Sequence, residues 1–325
     1  MLSRTADHLF WMARYMERAE NTARMLDVNY QTSLLPQSAD MAEQGWRGLL
    51  SISELTLGFS KKYSHVTARN VMNFMVGDET NPSSIVACLR AARENARAVR
   101  GALTTEVWET QNQTWLDFNR KLRQDSFERD PGAFFEWVKL RSHQSRGVTV
   151  GTMLMDEALH FLRIGTFLER ADNTARLLDV KFQALAGGDY FGPNAAREAA
   201  KETLEVDFYH WSAILRSVSG FEIYRKVYRN VIRPEKVAEL LILRPDMPRS
   251  LAACMNEVVG NLKQVANQHS SETLRRAGRL RSDIQYGRID EILATGLHAY
   301  LTEFLDRVND LGVGISRDFL VPMAA

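Results

Sequence analysis

The strongest constraint on this chain is a fifteen-residue segment that occurs twice. Glu17–Gln31 aligns with Glu169–Gln183 without a gap, and eleven of the fifteen positions are identical. Weaker matches follow in the same order, and they pair Trp46 with Trp211, Pro82-x-Ser84 with Pro248-x-Ser250, and Asn95 with Asn261. Internal similarity of this kind predicts two copies of one structural unit.

These matches also predict the domain organisation. One repeat is expected over residues 1–150 and the second over residues 151–325. Two units that open so similarly are expected to pack about a pseudo-two-fold axis, as equivalent surfaces do in a symmetric dimer. Because no flexible interdomain linker is visible, we predict one fused helical bundle.

Helical patterns run through almost the whole chain. There are only eight prolines, and apolar residues recur at spacings of three and four, which favours α-helix. We therefore predict an all-α fold. Long helices are expected over residues 5–35 and 153–186, with Gly187-Gly188 closing the second, and a further helix over 194–217.

Two local predictions concern helix ends. Asn81 and Pro82 have the residue types of an N-cap followed by a first helical position, so a helix is expected to begin there and run to residue 103. A helix is expected over residues 132–145. The segment Val148-Thr149-Val150 stands between two glycines and is predicted to be a turn.

Composition excludes several classes of function. Lys and Arg number 41 against 40 Asp and Glu, so no global field attracts nucleic acid or an anionic membrane. No run of eighteen apolar residues occurs, and we expect no membrane span. The two cysteines form no CxxC motif, which favours a reducing, cytoplasmic setting. The sequence leaves the oligomeric state open, a homo-oligomer included.

The repeated segment places charged side chains on one helix face. In the first copy these residues are Arg14, Glu17, Arg18, Asn21 and Arg24, and in the second they are Glu169, Arg170, Asn173 and Arg176. At 100° per residue they cover about a third of the circumference, with apolar residues opposite. A solvated face would tolerate exchange among Lys, Arg, Gln and Glu, so the retained residue types indicate that geometry matters.

Three interpretations of this face remain open. The charges could pair within each helix in solvent, where each pair contributes little. They could form guanidinium forks buried between the repeats, bidentate to Glu17, Glu169, Asp27 or Asp179. They could also line a pocket in which the arginines hold a carboxylate or phosphate, with Glu17 or Glu169 as catalytic base.

Other candidates carry weaker signals. A second polar run contains Arg93, Glu94, Asn95 and Arg97, and we expect it to be mainly structural. Glu157-x-x-His160 has the spacing of a di-iron ligand pair but lacks the further carboxylates such a site needs, so no metal is predicted. No cofactor motif occurs. The two cysteines and the paired tryptophans, Trp46 and Trp211, are predicted to be core residues.

Several motifs in order resemble the Alpha-E family, named for an all-helical fold with a Glu-Arg motif. They include Met1-Leu-Ser-Arg-Thr-Ala-Asp7, Met16–Arg24, Ala92–Arg97, Phe167–Asp172 and Pro248-Arg-Ser250. The resemblance implies a bacterial protein encoded beside, or fused to, an ATP-grasp protein. Transglutaminase-like and peptidase-like proteins are its expected further partners.

This setting suggests a system that makes, modifies and cleaves peptide or isopeptide bonds. The leading hypothesis is an accessory or catalytic helical component whose Glu-Arg faces bind a carboxylate- or phosphate-bearing ligand, such as a peptide or amino acid, or a partner. The alternative is a non-catalytic interaction protein whose Glu/Arg pairs only lock the two halves together.

Overall fold

The computed structural model describes residues 1–36, 38–124, 126–186, 211–229 and 231–320, and within them the secondary structure is entirely helical. The α-helices are α1 (Ser3–Ser33), α2 (Ala39–Ile52), α3 (Thr56–Ser60), α4 (Ala68–Val76), α5 (Ile85–Ala98), α6 (Thr105–Arg123), α7 (Ser126–Arg129), α8 (Pro131–Thr152), α9 (Glu157–Ala186), α10 (Phe221–Tyr228), α11 (Pro234–Ile242), α12 (Leu251–Gln264), α13 (Ser271–Gln285), α14 (Ile289–Thr295) and α15 (Leu297–Phe319). A 3₁₀ turn covers Arg100–Ala102, and residues 211–217 are also helical.

The two long helices that carry the repeated segment, α1 and α9, pack against each other at the centre of the bundle. They run in the same direction, because the amino group of Met1 reaches Glu157 at the start of α9 while Glu17 meets Arg170 further along. At Gly165 a Cβ atom would overlap the carbonyl oxygen of Phe10. A glycine at this position therefore permits the close approach of the two backbones.

Each central helix has its own antiparallel neighbour. Helix α5 packs on α1, and α12 packs on α9. Matching contacts hold these pairs, since His8 on α1 bonds Asn95 at 2.8 Å and His160 on α9 bonds Asn261 at 2.8 Å. These are the correspondences that a duplicated unit predicts, and the duplication itself remains a prediction, as do its boundaries.

The core contains the residues that the sequence assigned to it. Trp46 and Trp211 are almost fully buried, and so are Cys88 and Cys254. Burial raises the pKa of both thiols to about 12. The cysteines are therefore packing residues within α5 and α12.

The predicted start of α5 was wrong. Asn81 bonds the carbonyl of Phe74 and accepts from the backbone of Ser83, which builds a turn, and the helix begins only at Ile85. Ser84 is the N-cap and accepts from the backbone N–H of Ala87. A serine oxygen satisfies a free N–H of the first turn as well as Asn would.

The predicted turn at Val148-Thr149-Val150 was also wrong, because α8 continues through it to Thr152. Thr149 and Thr152 donate their hydroxyls to carbonyls one turn earlier. The glycines on either side weaken the helix by about 1 kcal/mol each, which packing of α8 against α1 outweighs. The predicted helix over 194–217 is described only from residue 211, and Gly187-Gly188 lies outside the described residues.

Candidate functional site

The charged faces of α1 and α9 meet in two reciprocal ion pairs. Arg170 of α9 donates from Nε and Nη2 to the two carboxylate oxygens of Glu17, each at 2.9 Å. Arg18 of α1 donates from Nε and Nη2 to Glu169 at 2.5 and 3.0 Å, and Arg14 adds a bond at 2.7 Å. The buried-fork interpretation is thus confirmed for both glutamates, and the two Glu-Arg motifs bind each other.

Both glutamates are ionised in this arrangement. Burial alone would raise the pKa of Glu169, but Arg14 and Arg18 outweigh it and lower that pKa to about 2. Burial likewise opposes ionisation of Glu17, and Arg170 and Arg249 hold its pKa below the ordinary value. A carboxylate in this state accepts a proton poorly at neutral pH. The catalytic role considered for these glutamates stays a prediction that the geometry does not favour.

A larger charge cluster extends from Glu17. Glu20 is fully buried and receives Arg249 at 2.5 Å and Arg24 at 2.7 Å, while Arg146 of α8 bonds both Glu20 and Glu17. Burial would raise the pKa of Glu20, but Arg249 and the other cations hold it well below its ordinary value. We call Glu17, Glu20 and their arginines the Glu17 cluster.

Positive charge is in excess in the Glu17 cluster. Two carboxylates face four guanidinium groups, and among the described residues no further carboxylate contacts those four. This excess affects Arg249, whose pKa is lowered. Burial is the largest cause, and Arg170 and Arg24 lower the pKa further, although Glu17 and Glu20 act to raise it. Three of the four guanidinium groups are buried, and Arg146 is 30% exposed. A largely buried surplus of this kind is costly unless an anion compensates it.

An apolar cavity of about 130 Å³ adjoins this cluster between α1, α8 and α9. Its polar lining residues are Glu17, Gln111, Ser145, Arg146, Thr149, Arg163 and Thr166. Its walls are mostly apolar and include Met12, Met16, Leu159, Leu162 and Phe167. We call it the apolar cavity.

A second cavity, of about 190 Å³, lies where α1 and α9 face the end of α2 and the turn before α5. Its lining is mainly polar and includes Arg18, Asn21, Glu169, Asp172, Asn173 and Arg176. Arg176 is held by Asp172 at 2.8 Å and by Glu54. We call this the polar cavity, and it gathers predicted site residues from both copies of the repeated segment.

The second predicted polar run lies elsewhere. Arg93 and Arg97 pair with Glu94 on the surface of α5, and Asn95 bonds His8. None of these residues joins the Glu17 cluster or lines either cavity described above.

Two further predicted partners of the arginines have other contacts. Asp27 pairs with Lys139 at 2.8 Å, and Asp179 pairs with His298 at 2.7 Å. Asp27 receives no guanidinium fork among the described residues. No group of three or more His, Cys, Asp or Glu side chains within those residues is placed to hold a metal ion.

Sequence reasoning missed Glu20, Arg249 and Arg146. Glu20 stands four residues before Arg24, a spacing typical of a helical ion pair, and could have been found by it. Arg249 lies inside the aligned Pro-x-Ser motif, but its counterpart is Ser83, so the alignment gave no charge signal. Arg146 carries no local signal, because its partners come from another helix.

The chain belongs to the Alpha-E family. Residues 1–320 match the family model, which is described as a predicted α-helical domain with a conserved Glu-Arg motif. This chain carries a Glu-Arg dipeptide at Glu17-Arg18 and another at Glu169-Arg170, and these residues form the reciprocal pairs between α1 and α9.

Two mycobacterial proteins are similar to the chain over most of its length. The uncharacterised protein Mb2597 of Mycobacterium bovis is 25% identical over 329 residues, covering 93% of this chain and 35% of the relative. The uncharacterised protein Rv2567 of Mycobacterium tuberculosis is 24% identical with the same coverage. The chain therefore spans about a third of the length of these curated relatives. No solved structure matches it, and no helix among the described residues is long and apolar enough to cross a membrane.

Proposed function

We propose that this Alpha-E chain is an accessory, ligand-binding component of a system that forms or modifies peptide or isopeptide bonds, acting beside an ATP-grasp protein. Its ligand is a carboxylate that carries an apolar group. The observation that supports this proposal is the surplus of guanidinium charge in the Glu17 cluster, directly beside the apolar cavity.

Arg146 is the residue best placed to bind the carboxylate. Only its Nη1 donates to Glu17, Glu20 and Ser142, and its Nε and Nη2 make no hydrogen bond with the described residues. The side chain is 30% exposed, against 7% for Arg249 and 8% for Arg170. A guanidinium with two free donor directions suits a carboxylate, which it can bind with two parallel bonds.

The size of the apolar cavity limits the apolar group. An engineered cavity of about 150 Å³ accepts benzene, so about 130 Å³ suits a branched aliphatic side chain or a small ring. The ligand class is therefore an apolar carboxylic acid or an apolar amino-acid residue with a free carboxylate. An ATP-grasp enzyme activates a carboxylate, which gives such a ligand a place in the proposed system.

The structural alternative explains part of the same evidence. The reciprocal pairs of Glu17 with Arg170 and of Glu169 with Arg18 join α1 to α9, and such pairs fix geometry. A purely structural role leaves unexplained why four arginines surround two carboxylates beside an open apolar space. We therefore assign the reciprocal pairs to locking the helices, and the surplus charge to binding.

The binding proposal is tested with N-acetylleucine and N-acetylleucinamide, in which an uncharged carboxamide replaces the carboxylate. We expect calorimetry to show binding of the acid and at least tenfold weaker binding of the amide, since charged hydrogen bonds are the stronger ones. Arg146→Gln should weaken binding of the acid by about tenfold or more. Arg141→Gln is the matched control, because Arg141 lies on the same helix but contacts Thr114 and Gln144.

Equal affinity for the acid and the amide would refute the carboxylate assignment, and so would an Arg146→Gln variant that binds as wild type does. The proposed setting is tested separately. The chain and the neighbouring ATP-grasp protein are co-expressed and supplied with ATP and amino acids or peptides. A stable complex and a new amide product are expected. A complex without product under any condition would favour the non-catalytic interaction protein.

A further inference from the structure

The turn before α5 and the turn before α12 differ in the residue that precedes the helix N-cap. Both helices have a serine N-cap, Ser84 and Ser250, and each serine hydroxyl also donates to a carbonyl six residues earlier. The residue before the cap is Ser83 in the first case and Arg249 in the second. The two turns are built alike, but only one of them carries a guanidinium group.

Arg249 fills the space beside the repeated segment of α1. Its Nη1 donates to Glu17 and to the Oδ1 of Asn21, both at 2.9 Å, and its Nη2 donates to Glu20 at 2.5 Å. The side chain is 7% exposed. Two acids and one asparagine on this face of α1 thus hold one internal guanidinium.

The matching face of α9 holds no such group from the turn before α5. The residues aligned with Glu17, Glu20 and Asn21 are Glu169, Asp172 and Asn173, and all three line the polar cavity together with Ser83. The cavity of about 190 Å³ therefore lies where the shorter side chain of Ser83 replaces an arginine.

Electrostatics at the polar cavity differ from those of the Glu17 cluster. Glu169, Asp172 and Glu54 face three arginines there, namely Arg14, Arg18 and Arg176, so the acids and cations balance. Burial raises the pKa of Asp172 in spite of its bond to Arg176. One more cation would therefore meet a less positive environment here than Arg249 meets beside Glu17.

We propose that the polar cavity binds an amine or guanidine, with its cationic group at Glu169 and Asp172. An α-ammonium group, as at the amino end of a peptide, is a cation of this kind. Arg249 is the internal counterpart of this ligand. The polar cavity is separate from the apolar cavity, and an amine could bind there whether or not a carboxylate binds beside Arg146.

The test uses glycinamide as the probe and N-acetylglycinamide, which lacks the positive charge, as its control. Calorimetry should detect glycinamide and show at least tenfold weaker binding of the acetylated compound. Asp172→Asn should reduce glycinamide binding by about tenfold or more. Asp40→Asn, at an exposed position of α2, should leave it unchanged.

Ser83→Arg supplies the missing guanidinium within the chain. We expect this variant to lose glycinamide binding and to unfold at a higher temperature than wild type, because an internal ligand stabilises the folded state. Ser83→Met, which fills space without charge, should also block binding but should not raise the unfolding temperature. If Ser83→Arg fails to fold, Asp172→Asn still decides the question.

Equal binding of the two probes, or unchanged binding by Asp172→Asn, would overturn the proposal. A Ser83→Arg variant that folds but is less stable than Ser83→Met would also contradict it. Arg146→Gln separates the two sites, since it should weaken N-acetylleucine binding and leave glycinamide binding as in wild type.

Discussion

Replacing Glu169 by glutamine removes the charge that Arg14 and Arg18 share while keeping the shape of the side chain. The carboxylate is 6% exposed, and its pKa is lowered from 4.5 to about 2. That shift corresponds to about 3 kcal/mol of stability at neutral pH. We expect the Glu169→Gln variant to lose about 3 to 5 kcal/mol at pH 7, the range typical of breaking a buried pair.

The loss should depend on pH, with a sign that follows from the lowered pKa. Above pH 4.5 the carboxylate is ionised in both the folded and the unfolded chain, so its contribution is fully present. Below pH 4.5 the unfolded chain binds a proton that folded Glu169 takes up only near pH 2. Wild type should therefore lose about 2 kcal/mol of this contribution between pH 7 and pH 3.

Urea unfolding followed by circular dichroism at pH 7, 5, 4 and 3 measures both proteins. The stability gap should narrow by about 2 kcal/mol by pH 3, because the other acids are common to both proteins and cancel in the difference. Glu43→Gln is the control: it removes an exposed pair with Arg47 and should cost at most about 0.5 kcal/mol. A gap that stays constant with pH would refute the reasoning.

Three other predictions follow from the packing. Gly165→Ala should destabilise the protein by at least about 2 kcal/mol in thermal unfolding, because the new methyl group meets the α1 backbone. Gly147 has open space around it, so Gly147→Ala should be neutral or stabilising in the same assay. Arg170→Lys should cost about 1 to 3 kcal/mol in the same assay, because lysine cannot form the fork to its glutamate, and a loss within 0.5 kcal/mol would contradict a locking role. Cys88 and Cys254 should not react with a thiol reagent until the chain unfolds, and rapid labelling of the native protein would contradict their burial.

The helical class could be predicted from sequence because apolar periodicity and the scarcity of proline are local properties. Helix ends were less predictable. At α5 the N-cap is a serine that lies three residues beyond the expected Asn81. At α8 two glycines favour an early helix end, but tertiary contacts such as the bond from Ser142 to Glu20 keep the helix intact. Such contacts involve residues far apart in the chain, so no local pattern could show them.

The candidate site could be predicted only in part, because many of its contacts also join residues that are far apart in the chain. Glu17 and Arg170 stood out because the repeated segment carried them twice, and their pairing followed from expecting two similar units to face each other. The sequence suggested an amphipathic α1 with a charged outer face. In the structure Glu17, Glu20 and Arg24 are buried. Arginines from α8, α9 and the turn before α12 compensate the two glutamates, and Glu20 pairs with Arg24.

The reciprocal pairs also bear on how the chain can fold. Glu17 on α1 pairs with Arg170 on α9, and Glu169 on α9 pairs with Arg18 on α1. Suppose that the chain were cut in the turn between α8 and α9. The first fragment would keep Arg24 and Arg146 as partners of its two buried glutamates but would lose Arg170 and Arg249. In the second fragment, Glu169 would lose both of its arginines. Each fragment would then have to hold ionised side chains in an apolar interior or leave that interior unformed. The two fragments are therefore expected to fold only together, as a complementation pair.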